Sequence, residues 1–267
     1  MRGNILILFR KLREGLLSTK RSDRFSLEVY ETSFYLSVIF ASPAQTTSIV
    51  AHLTSLYKPQ AQLSRSCQTT TLVSLLHFLV AAYPSHSRCF EHLHSLPSNF
   101  LPSDSEAGRW LRQVTRALRQ GNYSRLERLT ERAACTRFAD THSTSKPAPG
   151  CAPEPSNKLS APAPVNLALE ALCTLLDALR TKARESSWTI LRSAYRELSC
   201  PKNTEDALSE PHQWLLNTLA LRPVALSDES RDEAALVDVW IEKRCAMGDL
   251  RPKEGVEGRW IMCKAKS

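Results

Sequence analysis

Apolar residues recur at helical spacing through most of this chain, and proline and glycine divide them into elements. Ile5, Leu8, Leu12 and Leu16 open an amphipathic first helix. Leu27, Tyr30, Phe34 and Val38 share one face of a second, over Ser26 to Phe40. Pro43 breaks the chain, and Thr46 or Thr47 is the expected N-cap of a helix carrying Ile49, Leu53, Leu56 and Tyr57. Lys58-Pro59 stops it. Leu72 to Val80 is nearly all apolar, which predicts a helix buried on most sides; Pro84 ends it. Ser85 to Ser103 is mixed. Asp104 or Ser105 then caps a helix with Trp110, Val114, Ala117 and Leu118 on one face. Gly121-Asn122 is its stop, and Tyr123, Leu126, Leu129 and Ala133 begin another helix. The series predicts antiparallel helical hairpins with short connections.

Thr141 to Pro164 is different. Pro147, Pro149, Pro153, Pro155, Pro162 and Pro164 stand among Ser, Ala and Thr. Such a segment has too little apolar surface to offset the entropy of ordering, so a flexible insertion is expected. Helices resume over Val165 to Leu179 and Thr181 to Leu198, then over Pro211 to Leu221 and Asp228 to Cys245. Gly248 and Gly255 bracket a turn, and Arg259 to Lys264 reads as a strand. Helices followed by a short β-hairpin are what a winged helix requires. The expected fold is mostly α: a helical-hairpin (TPR-like) stack over 1–140, the insertion over 141–164, the last helices of the stack over 165–198 and a winged-helix-like module over 199–267.

Composition narrows the chemistry. Only 8 of 267 residues are glycine, which disfavours Gly-rich phosphate loops. The formal charge is +8, a balance that permits nucleic-acid or acidic-protein partners. The 8 cysteines form no CxxC pair. No secretory signal is read at the N-terminus, so reduced thiols of a nuclear or cytosolic protein are expected. The apolar run Ile5 to Phe9 is too short to span a membrane.

Four arginines, Arg109, Arg112, Arg116 and Arg119, fall on one helical stripe. Such a stripe can track phosphates. The other reading is a solvated face, or ion pairs to Glu106, Glu127 and Glu131. Trp110, Trp188, Trp214 and Trp240 sit at helical spacing among core positions. Trp240, with Trp260, is the candidate anchor for a protein partner, because aromatics anchor interfaces. The segment His86-x2-Cys89-x2-His92-x-His94 holds ligand-type residues, but it lacks a distant second half and reads as a polar loop, not a metal site. No nucleophile elbow, Walker loop or dinucleotide fingerprint is present. No catalytic residue, metal or cofactor is expected.

Several segments together resemble one family. They are Leu12-Arg13-Glu14-Gly15-Leu16, Phe25 to Thr32, Leu53-x2-Leu56-Tyr57, Ala117-Leu118-x2-Gly121-Asn122-Tyr123, Arg184 to Arg196 and Cys263 to Ser267. In order and spacing they resemble the Sac-three/GANP family of PCI-domain proteins, whose members are assembly platforms. The resemblance implies a non-enzymatic scaffold in nuclear messenger-RNA export or transcription-coupled RNA processing, with the cytoplasm as a further location. It implies a second PCI-domain protein and a small acidic subunit as partners, RNA or DNA as a further one, and no membrane. It also implies a nucleic-acid surface where the last long helix enters the winged helix, at Lys182, Arg184, Arg192 and Arg196. The alternative there is packing, with arginine stems covering apolar neighbours. Proteasome-lid and translation-initiation PCI subunits, and a centrosome or spindle-associated short member, are the alternative functions.

Overall fold

The computed structural model describes residues 2–57, 65–139, 165–201, 209–224 and 233–264. The expected insertion over 141–164 lies outside these residues, as do the stop at Lys58-Pro59 and the start of the helix expected from Asp228.

The described chain is mostly helical. Its helices are α1 (Arg2–Ser18), α2 (Arg24–Ile39), α3 (Pro43–Tyr57), α4 (Arg65–Ala82), α5 (Ser87–Ser95), α6 (Glu106–Arg119), α7 (Tyr123–Leu129), α8 (Arg132–Ala139) and α9 (Leu167–Ala194). Then come β1 (Glu197–Ser199), α10 (Glu210–Leu219), α11 (Glu233–Ala246), β2 (Leu250–Pro252) and β3 (Arg259–Met262).

Local chemistry sets many of the boundaries. Asp23 accepts the Ser26 backbone N–H at 3.0 Å and starts α2. Ser105 accepts Gly108 N–H at 3.1 Å and Asn122 accepts Arg125 N–H at 3.0 Å, capping α6 and α7. Pro43 opens α3 where a break was expected, and Thr46 already makes an in-helix bond to the Ser42 carbonyl. Proline has no N–H to lose in a first turn, and its fixed φ suits that position.

Three elements differ from the expected ones. The mixed stretch after Pro84 contains α5, which buries Cys89 against the body. The helix expected from Tyr123 onward is two, α7 and α8, divided at Thr130. The two helices expected over 165–198 are one, of 28 residues, and its expected end is β1. A three-residue strand is too short to show a period in sequence. Its burial alternates all the same: Leu198 points inward while Glu197 and Ser199 are exposed.

Two hydrophobic clusters share α9. The first is built from α2, α3, α4, α6 and the first part of α9. Phe34, Ile49, Leu72, Leu75, Leu76, Leu172, Leu176 and Leu179 are among its fully buried members. α2 and α4, from the first half of the chain, both pack against α9. The second cluster gathers Trp188 and Leu191 from the end of α9 with Leu198, Leu215, Leu216, Leu219, Val237, Trp240, Ile241, Leu250 and Met262.

The strands form one antiparallel sheet in the order β1-β3-β2. Leu198 lies opposite Trp260, and Leu250 opposite Met262. Gly258 enters β3 with φ of +73°, and a Cβ there would lie 2.5 Å from Pro201 Cα. Only glycine lets these backbones meet, which closes Cys200 N–H onto the Gly258 carbonyl at 2.8 Å.

Candidate functional site

The four arginines of α6 lie where their spacing put them. Ala107, Trp110, Leu111, Val114, Ala117 and Leu118 turn inward, and Arg109, Arg112, Arg116 and Arg119 are exposed on the other side. Arg112 donates to the Ser103 carbonyl at 2.7 Å. Arg109, Arg116 and Arg119 have no ion pair or hydrogen bond among the described residues. Two of the three carboxylates weighed as their neutralising partners are engaged elsewhere. Glu106 pairs with Arg137 at 2.8 Å and Glu127 with Arg222 at 3.1 Å. The α6 stripe is therefore an open positive face.

The junction residues divide. Arg184 donates from Nε to the Leu219 carbonyl at 2.9 Å and from Nη2 to the Ala220 carbonyl at 2.6 Å. These are carbonyls freed at the C-terminus of α10, so this guanidinium works as a helix cap. Arg192 donates twice to the Cys263 carbonyl, at 3.0 and 2.5 Å, and pairs with Asp249 at 2.8 Å. Both guanidiniums, expected on a nucleic-acid surface, are turned inward and tie α9 to the strand-bearing part. Their donors already hold backbone carbonyls, and burial depresses the pKa of Arg184. Lys182 is exposed, with Nζ 2.6 Å from the Val80 carbonyl. Arg196 is exposed and has no side-chain partner among the described residues. Of the four, Lys182 and Arg196 face solvent.

The tryptophans divide in the same way. Trp240 is not a surface anchor: it is 6 % exposed and meets Trp188 edge-on at 4.8 Å. Trp260 is half-buried on β3. The exposed aromatics among the described residues are Phe25 on α2 and the pair Trp214 and Tyr195, whose ring centroids lie 6.0 Å apart. Ile190, also exposed, lies five residues before Tyr195 along the chain. A signal for Trp214 was present in the sequence. His212, Leu215, Leu216 and Leu219 make the buried stripe of α10, and position 214 lies off it. A direct comparison follows. Trp240→Ala should cost about 3–5 kcal/mol in urea unfolding, and Trp214→Ala about 1 kcal/mol. The reverse order would exchange their places.

Elsewhere the segment His86 to His94, read as a polar loop, is mostly the helix α5. Cys89 is fully buried, His92 Nε2 lies 3.1 Å from Ser74 Oγ, and His94 is exposed. Among the described residues, no group of histidine, cysteine and carboxylate side chains is placed to hold a metal ion. One thiol–imidazole pair lies among the described residues. Cys200 Sγ lies 3.5 Å from His212 Nε2, whose Nδ1 lies 2.6 Å from Ser209 Oγ. Burial, and then the charge of Asp238, push the Cys200 thiol up to about 12. A nucleophilic cysteine needs the opposite shift, so at neutral pH this thiol stays protonated. No described helix is long and apolar enough to cross a membrane.

No protein-family model matches this chain, and no curated protein matches it.

Proposed function

We propose that this chain is a non-enzymatic scaffold subunit of the PCI type, acting in nuclear messenger-RNA export or transcription-coupled RNA processing. The observation that carries the reading is the continuity of α9. One helix runs from a helical body into a module ordered β1-α10-α11-β2-β3, with its sheet ordered β1-β3-β2. That order is the one a winged helix requires, and a helical stack capped by a winged helix is the PCI arrangement.

In this reading the exposed Tyr195–Trp214 pair at the module's edge anchors a second PCI-domain protein. Large rigid aromatics give contact area at little entropic cost. The open arginine face of α6 receives RNA or a small acidic subunit. Arg184 and Arg192 hold the two parts together instead of meeting a ligand.

The test is binding of single-stranded RNA to the purified protein across a salt series. Affinity should fall steeply with salt. The triple variant Arg109→Glu, Arg116→Glu, Arg119→Glu should reduce the slope of log K against log salt by about 2, from about 0.7 for each lost phosphate contact. An unchanged slope would remove α6 from the interface. Copurification of the tagged chain with an export scaffold, as against the 26S particle, checks the pathway.

A further inference from the structure

A groove of about 700 Å³ lies between α11 and the β2–β3 hairpin. That volume is typical of clefts that hold ligands, roughly 300–1,000 Å³. Ile241, Val256 and Trp260 supply its apolar lining, and Val256 at the hairpin is 41 % exposed. Asp238, Glu242 and Glu257 supply carboxylates. Asp238 and Glu242 are four residues apart on α11, so they stand on one helical face, and both are exposed.

Two cations, Lys253 and Arg259, also line the groove, and Lys253 faces a counter-charge of its own. Lys253 Nζ holds both carboxylate oxygens of Glu197, at 2.8 and 2.9 Å. Lys253 first, and Arg259 after it, depress the pKa of Glu197. Asp238 and Glu242 of α11 outnumber Arg259, so carboxylates set the sign of the groove. The chain as a whole carries +8, so this groove opposes the charge of the molecule around it. The groove therefore favours a cationic ligand over a polyanion, although α6 could attract the latter. The groove also contains the Trp260 indole, whose Nε1–H is shielded from solvent and has no acceptor. A buried donor without an acceptor is uncommon in folded proteins.

We infer that this groove docks a basic segment of a partner protein. Lysine or arginine side chains meet Asp238 and Glu242, and an aliphatic side chain packs on Trp260 and Val256. This inference stands on the groove alone and does not depend on the PCI reading.

The test uses the full chain and two short fluorescein-labelled peptides followed by anisotropy. One alternates lysine with leucine; the other has glutamate in place of every lysine. The lysine peptide should bind, more weakly as salt rises, and the glutamate peptide should not bind in the groove. Because the protein is itself cationic, general attraction works against this outcome. Asp238→Lys with Glu242→Lys should weaken the lysine peptide by at least about tenfold. Asp238→Asn with Glu242→Gln, which keeps size and removes charge, should weaken it by a smaller factor. Arg109→Glu with Arg116→Glu, on the α6 face, should not weaken it. Absence of binding to the wild-type chain at low salt would overturn the inference. So would undiminished binding by the neutral variant with an unchanged circular dichroism spectrum, or displacement of the peptide by single-stranded RNA in the α6 variant.

Discussion

Arg180→Met should destabilise the protein by about 3–5 kcal/mol, the cost of leaving buried acceptors unpaired and a buried carboxylate short of a nearby cation. Arg180 is 2 % exposed, and its guanidinium is spent entirely inside. Nε donates to Thr130 Oγ1 at 2.6 Å, Nη1 to the Arg222 carbonyl at 2.5 Å and Nη2 to the Glu127 carbonyl at 2.5 Å. Glu127 and Thr130 end α7, so the arginine satisfies carbonyl and hydroxyl groups where that helix stops and α8 begins. Methionine fills much of the space but donates nothing. Three acceptors lose a partner, and the Glu127 carboxylate, itself 3 % exposed, keeps only Arg222 as a close cation.

The pH dependence of that deficit has a definite sign. Burial holds the Glu127 pKa above its ordinary 4.5, against the pull of Arg222 and Arg180. A carboxyl raised in the folded state opposes folding when ionised, and the penalty fades as pH falls through its folded pKa toward the unfolded one. Losing Arg180 raises it further. Urea unfolding should therefore show the widest gap between variant and wild type at neutral pH. The gap should narrow as pH falls toward 4.5. A gap that widened on acidification would mean that Glu127 is not the carboxyl left uncompensated.

Asp249→Ala should cost a similar amount, about 3–5 kcal/mol, but in another part of the molecule. Asp249 accepts the Trp188 indole N–H at 3.0 Å and pairs with Arg192 at 2.8 Å and Arg244 at 3.2 Å. Arg244 is 3 % exposed and lies 5.4 Å from the ring centroids of both Trp188 and Trp240. Glu185 still holds Arg244 at 2.5 Å after the substitution, but the indole loses its acceptor and Arg192 its carboxylate. These losses fall on the cluster that joins the end of α9 to α10, α11 and the sheet. Amide hydrogen exchange should accelerate in β1, α10, α11, β2 and β3 while α4 stays protected. Asp249→Asn, which keeps one acceptor and loses the charge, should fall between wild type and alanine. Uniform acceleration across α4 as well would mean that the two clusters open as one unit.

Much of the helical architecture was legible because its signals are local. The stripe Trp110, Val114, Ala117, Leu118 placed α6, and Ser105 placed its start. The stop read at Gly121-Asn122 placed the start of α7 at Tyr123. The apolar run after Leu72 placed a helix with almost no wet face. What failed was short or non-local. α5 buries one strong position, Cys89, and its histidines obscured the pattern. The division at Thr130 and the continuity at Arg180 are one event seen from two helices. Arg180-Thr181-Lys182 read as a polar interruption of α9, although Arg180 reaches across to the end of α7.

The candidate surfaces divide along the same line. Residue spacing alone determined that Arg109, Arg112, Arg116 and Arg119 share a face opposite the apolar residues of α6, because helical period assigns each side chain a direction about its own axis. It determined the helical class for the same reason. Period does not say what covers a face. That Arg184 and Arg192 cap carbonyls of α10 and β3's end, that Trp240 is enclosed while Trp214 is open, and that the carboxylates of α11 line a groove were decided only when separate segments packed together. A guanidinium or an indole can satisfy its donors with water or with buried carbonyls. The choice belongs to the packed neighbours, which lie tens of residues away along the chain.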